Sequence, residues 1–249
     1  METYLIALSF FLFGYILNMF YITVLYHRGL THGAVVMNPK LHNLLYQTGT
    51  WITGLDPKSW ATMHRFHHKY SDTETDPHSP THSGVMGVWL AQYKSYLKYM
   101  NHLIKKDNSE VNEMTSDMKM DVSWLNRKNL SWFPYVLHII IAVAFWIFFD
   151  SFLIGAAYWF GIMSHPVQGW MVNALAHKYG GRNFNTPDDS RNNHLVGYFV
   201  FGEGYQNNHH HSPQSAKFST KPHELDLGYL MVLISEKLGL LTITRPKGN

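Results

Sequence analysis

The chain has 249 residues, of which only 15% are charged and 15% are aromatic, against about 25% charged in an average soluble protein. A formal charge of +3 is too mild for a nucleic-acid partner. With no cysteine, a disulfide framework and any thiolate-held zinc or iron–sulfur site are excluded. The mean hydropathy of −0.17 averages very apolar stretches with very polar ones. Seventeen histidines are the anomaly, and many of them are clustered.

In chain order, residues 3–26 carry no charge and exceed the roughly 20 residues a helix needs to cross a bilayer. No Lys or Arg precedes this run, so it does not read as a secretory signal. Residues 41–60 form a second apolar stretch. A single crossing there would put His27 and His32 on the opposite side from His64, His67 and His68. The segment is therefore expected to be interfacial or re-entrant, broken by Gly49, Gly54, Asp56 and Pro57. Residues 105–129 read as a polar, partly flexible connection. Residues 132–149 and 151–176, parted only by Asp150, predict a helical hairpin of two further spans. Residues 224–241 predict one short amphipathic helix, followed by a tail, with no fused heme domain.

All 20 Lys and Arg fall between Arg28 and Lys128 or between Lys178 and Lys247. The positive-inside rule places both blocks in the cytoplasm. The expectation is an all-α, multi-pass integral membrane protein with about three spans, an interfacial segment and a helical cytosolic cap. Residues 27–131 and 177–249 form that cap, within a single domain over 1–249. A bacterial inner membrane or an ER-like membrane fits this arrangement.

The histidines gather at the predicted cytoplasmic helix ends. His27 and His32 are five apart, a spacing that does not align on a regular helix; Gly29 offers a bend. His64, His67 and His68 sit at i, i+3 and i+4 on one helical face. Gln206, His209 and His210 repeat that spacing, with His211 following and turned away. Asn173 and His177 form an i, i+4 pair. Eight histidines exceed one tetrahedral zinc, and neutral imidazole suits iron, zinc, copper or nickel. No Glu has a His three residues later, which disfavours the soluble Glu-x-x-His di-iron bundles. Two metals sharing the imidazoles point to oxygen activation. Asp72, Glu74, Asp76, Asp188, Asp189 and Glu203 are candidates to hold the far imidazole nitrogens.

His27-Arg-x-x-Thr-His32, His64-Arg-Phe-His67-His68, Asn173-x-x-x-His177 and Gly202-Glu-Gly-Tyr-Gln-Asn-Asn-His209-His210, in this order, resemble the signature boxes of membrane fatty acid desaturases. The acyl-CoA or delta-9 branch is the most similar. Asp76-Pro77-His78 and the stretch from Asn185 to Asn192 extend the resemblance, which runs from about Tyr26 to Gly239. It implies two iron ions, O2 as co-substrate and removal of two hydrogens from an acyl chain to give a cis double bond. The implied metal-site residues are His27, His32, His64, His67, His68, Asn173, His177, Gln206, His209 and His210, with Asn173 holding a metal-bound water. Implied partners are the bilayer, an acyl-lipid, acyl-CoA or acyl-carrier-protein substrate, and an external electron donor such as ferredoxin, rubredoxin or cytochrome b5. Three departures stand out. Gln206 occupies a position that is histidine in the family, three spans are counted where members carry four, and Thr62 stands where animal acyl-CoA members have Arg. The alternatives are a lipid hydroxylase on the same scaffold and a membrane metal-binding or transport protein. The transport reading predicts polar residues along the spans, and residues 3–26 hold few.

Overall fold

The computed structural model describes residues 1–244; the last part of the predicted tail, 245–249, lies outside the described residues. The chain begins with helix α1 (Glu2–Met19), which runs directly into a π-helix, π1 (Phe20–Thr31). Together they make one apolar helix of 30 residues, long enough to cross a bilayer. The other helices are α2 (Pro39–Thr53), α3 (Pro57–Tyr70), α4 (Pro80–Lys105), α5 (Ser109–Met114), α6 (Trp124–Arg127), α7 (Phe133–Phe149), α8 (Phe152–Ile162), α9 (His165–Trp170), α10 (His194–Phe199), α11 (Gln206–His211) and α12 (Leu227–Lys237). A second π segment, π2 (Met171–Leu175), continues α9.

The helices start where the sequence supplies caps. Asn38, Asp56 and Ser79 each accept a hydrogen bond from a backbone N–H of the first turn, and each is followed by proline. The polar cap satisfies an orphan N–H, and proline's fixed φ is already helical. The predicted segment 41–60 is accordingly two helices. Its break lies at Gly54, where φ is +73°, a backbone state that strains any residue with a Cβ. Gly49 breaks nothing. It sits inside α2, where an added Cβ would lie 2.6 Å from the Tyr26 hydroxyl, so its role is close packing.

α1 packs on α8 through small residues: a Cβ on Gly14 would meet the Ile162 backbone nitrogen at 2.7 Å. Close backbone approach of this kind holds helices together where lipid offers no hydrophobic driving force. Leu5, Leu12 and Phe13 of α1, Ile140 and Phe148 of α7, and Phe152 and Phe160 of α8 are exposed, an apolar surface of the kind that marks a membrane or protein contact. The predicted third span, 151–176, is not one helix. α8 ends at Ile162, and Met163 and Ser164 separate it from α9. α7 has 17 residues and α8 has 11, rises of about 26 and 17 Å at 1.5 Å per residue. Among the described residues, only the first helix is long and apolar enough to cross alone.

Beside the apolar helices α1, α7 and α8, Tyr26, Leu25, Leu45, Ala61 and Val232 join π1, α2, α3 and α12 in one core. A second core joins α3 and α4 through Phe66, Tyr99, Met100 and Val111. Two short strands that the sequence did not suggest, β1 (Val35–Met37) and β2 (Leu241–Ile243), pair antiparallel and tie the start of the predicted tail to the end of π1. The connection 105–129 is pinned, contrary to expectation. Lys58 donates to the carbonyls of Met118 and Met120, Asp56 accepts from the Ser123 N–H, and Arg65 forks onto Asp117.

Candidate metal centre

The π-winding solves the awkward spacing of the first histidine pair. Hydrogen bonds in a π-helix run i→i+5, so residues five apart stack along the axis. The His32 N–H donates to the His27 carbonyl at 3.2 Å, and the Thr31 hydroxyl donates to the Tyr26 carbonyl at 2.9 Å. The two rings lie 4.9 Å apart with no bend at Gly29, which lies within π1.

Two donor groups result. His27, His32, His64, His68 and His209 form the first, all with ligand atoms within 4.8 Å of one another; His67, His177 and His210 form the second. In the first group, the Nε2 atoms of His27, His64, His68 and His209 make a closed ring of contacts. Its edges are 2.9 Å from His27 to His64, 3.1 Å to His68, 3.0 Å to His209 and 3.0 Å back to His27. Neighbouring nitrogens about 3.0 Å apart have the spacing of imidazoles set at right angles around one metal with bonds of about 2.1 Å. Four nitrogens held this way suit a metal of higher coordination than tetrahedral zinc.

The second group is braced by carboxylates. The Nδ1 atoms of His67, His177 and His210 each lie 3.0 Å from an oxygen of Asp76, Asp72 and Asp188 respectively. Their Nε2 atoms are buried and have no partner. A buried polar atom left unpaired costs roughly 1–3 kcal/mol, and a metal removes that cost for three atoms at once. In the first group, Glu203 lies 2.6 Å from Nδ1 of His27. Of the six candidate carboxylates, four therefore touch a clustered histidine. Asp189 instead contacts Thr81 through its side chain, while its backbone N–H donates to Asp72. Glu74 is exposed.

Protonation follows burial. Burial, then the neighbouring imidazoles, pushes His32, His64, His68 and His209 well below the usual histidine range. Burial likewise lowers His210, to about 4, partly offset by Asp188. These rings are neutral at pH 7, the form that binds metal. Burial alone would raise Asp72, Asp76 and Asp188; their histidine partners overcome it and hold them ionised. Burial also works to lower His67, but Asp76 reverses this and raises it.

Asn173 and Gln206 are brought to the same region but differ from the histidines. Asn173 lies on π2, lines a cavity with His27 and His64, and its amide is 3.4 Å from the Gln92 carbonyl oxygen. Gln206 is fully buried; its amide N–H donates to the Glu203 carbonyl at 2.7 Å, leaving Oε1 unpaired. His211 is directed elsewhere, stacked at 3.9 Å on Phe184. Arg182 and Arg191 hold loop carbonyls of Thr186, Asp188 and Gly180. Trp170 packs on Trp89 and donates to the Val85 carbonyl.

Sequence reasoning missed Arg28. It is fully buried behind His27, bonded to Glu203 at 2.6 Å and Asp226 at 3.1 Å, with Phe218 3.7 Å from its guanidinium carbon. Its only signal was a charge immediately after a ligand candidate. The cavity measures about 280 Å³ and is mainly apolar, lined by Met19, Leu55, Trp60, Trp89 and Val172, and it reaches His27 and His64.

A family profile described as "Fatty acid desaturase" matches residues 2–225. The chain belongs to the fatty acid desaturase family. The icosanoyl-CoA 5-desaturase of Limnanthes douglasii is 30% identical over 94% of this chain and 64% of its own length. The acyl-CoA C20 Delta5-desaturase of Anemone leveillei is 30% identical over 91% of this chain and 70% of its length. For the delta-9 acyl-lipid desaturase 1 of Arabidopsis thaliana, the values are 30%, 89% and 69%. The chain thus spans about two thirds of the length of these desaturases.

Proposed function

We propose that this chain is an O2-dependent fatty acyl desaturase, an oxidoreductase that places a cis double bond in an acyl chain at a histidine-held pair of irons. The observation that carries the reading is the ring of four Nε2 atoms at metal-binding separation, next to an apolar cavity that reaches two of the same histidines. The donor chemistry fits iron: neutral imidazoles in excess of a tetrahedral set, with unpaired buried nitrogens in the second group. His27, His32, His64, His68 and His209 would hold one metal. His67, His177 and His210, with Gln206 Oε1 as an oxygen donor, would hold the other, and Asn173 would orient a water there. Bound iron supplies the oxidising power to take hydrogen from an unactivated carbon.

The protein's own residues do the positioning. Asp72, Asp76, Asp188 and Glu203 keep protons on the far nitrogens and so present lone pairs inward. Trp60, stacked 5.1 Å from His64, and the other apolar walls hold an alkyl chain and exclude water. Acyl-CoA and acyl-lipid relatives support an acyl substrate carried as a thioester or lipid ester. A delta-9-like outcome is the expectation, and both delta-5 and delta-9 names occur among the relatives. The apolar first helix and the α7–α8 hairpin would anchor one domain in the bilayer, with the histidines on the cytoplasmic face. An electron donor such as a ferredoxin, rubredoxin or cytochrome b5 would bring the electrons.

The test is the fatty-acid profile of a host expressing the chain, with double bonds mapped by mass spectrometry. A new monounsaturated acid, absent with His64→Ala, is expected. A hydroxylated acid in its place would overturn desaturation in favour of hydroxylation.

A further inference from the structure

The two i, i+3, i+4 runs distribute their donors by a rule. On α3 the first and last members, His64 and His68, share the first metal position, and the middle member, His67, serves the second. On α11 the middle member, His209, serves the first position and the last, His210, serves the second. By that rule the first member of the α11 run belongs to the second position. It is Gln206, which brings no imidazole. The first position thus gathers five imidazoles and the second only three.

A further histidine stands beside that shortfall. His78, in the turn that leads from α3 into α4, is 1% exposed, and neither of its ring nitrogens has a hydrogen-bond partner. Its ring centroid is 4.6 Å from that of His67. The rings already in the second group are 4.9, 5.0 and 5.3 Å apart. Ligand atoms of His78, His67 and Asp76 lie within 4.8 Å of one another. Asp76 ties the two residues together: it accepts from the His78 backbone N–H at 3.0 Å and holds the His67 ring by its Nδ1 at 3.0 Å. The Ser79 cap of α4 anchors the next residue, with its hydroxyl also donating to Asp72, the partner of His177. Packing alone would be served by an apolar ring; two unpaired nitrogens suit a ligand.

We propose that His78 is a metal ligand at the second position and supplies the imidazole that Gln206 does not. The proposal rests on the di-iron reading above. The donor atoms of His78 group with those of His67 and Asp76, and those of His177 and His210 group with His67. His67 is the link between the two sets, and the His78 ring turns one of its two unpaired nitrogens toward the metal when it binds.

The test uses the full chain in detergent, loaded with iron, with iron per chain from elemental analysis and the two iron environments resolved by Mössbauer spectroscopy. His78→Phe keeps a flat ring against His67 and removes the nitrogen. The wild type is expected to hold about two irons and His78→Phe about one, with one Mössbauer doublet lost. Adding Gln206→His to His78→Phe is expected to restore the second iron, because it returns an imidazole to the same position. Circular dichroism checks that each variant is folded. Two irons and an unchanged spectrum in His78→Phe would overturn the proposal while leaving the di-iron reading intact. So would a folded His78→Phe whose lost iron is not regained with Gln206→His. A wild type that binds no pair of metals would instead break the di-iron reading itself.

Discussion

At the first histidine group five imidazoles converge, and only His27 has an acid on its far nitrogen among the described residues. At the second, three converge and every one has. The first group draws its order from helix geometry: π1, α3 and α11 each bring rings to the same point, and the buried Arg28 stands behind Glu203. The second is assembled from α3, α11 and the chain after π2, and its rings are aimed by aspartates from two loops, one before α4 and one before α10. A group rich in donors tolerates loose bracing. A group poor in donors depends on its carboxylates, because each ring carries a larger share of the site.

The comparison breaks most directly with the loss of a ring corner. His64→Ala or His209→Ala is expected to abolish product formation and remove iron from the first position, read by fatty-acid profile and iron content. Retained activity in both would sink the assignment of the ring as a metal site. Next in size is Arg28→Ala, which strands Glu203 and Asp226 in the interior. Removing one partner of a buried pair costs roughly 3–5 kcal/mol, so a large fall in thermal midpoint is expected. A midpoint within a degree of wild type would show that this charge cluster does not support the first group.

Asp76→Asn and Asp188→Asn sharpen the contrast between the groups. Each is expected to weaken iron at the second position about 10–100-fold while sparing the first, measured by chelator competition. Equal loss from both positions would mean that the carboxylates hold the fold and not one site. Gly49→Ala comes next, with an expected loss of roughly 1–3 kcal/mol from overpacking against the Tyr26 hydroxyl, read by thermal unfolding. The smallest effect belongs to Asp117→Asn. This partner of Arg65 is mostly exposed, so the expected cost is about 0.2–1 kcal/mol, with activity unchanged.

Much of the site was legible from spacing. The i, i+3, i+4 runs needed only a helix to become one face, and α3 and α11 provide it. The carboxylates at Asp72, Asp76, Asp188 and Glu203 were legible as acids near histidine runs, though spacing alone could not separate them from Glu74 and Asp189. The His27–His32 pair was readable as a pair but not as a π-helix, because five-residue spacing has no partner face on the ordinary helix. His78 and Arg28 were unreadable in these roles. A lone histidine and a lone arginine carry no periodicity, and their meaning lies in what folds against them.

By itself the sequence determined the helical class, the apolar first helix, and which histidines share a helical face. These are local properties, set by side-chain periodicity and by residues within one turn. Only the tertiary structure decided how the rings divide into two groups, which acid meets which ring, where the predicted third span breaks, and that β1 pairs with β2 across most of the chain. Those outcomes depend on residues as far apart as His27 and His209 reaching 3.0 Å of each other. Contacts of that kind come from packing the whole chain, and no local spacing encodes them.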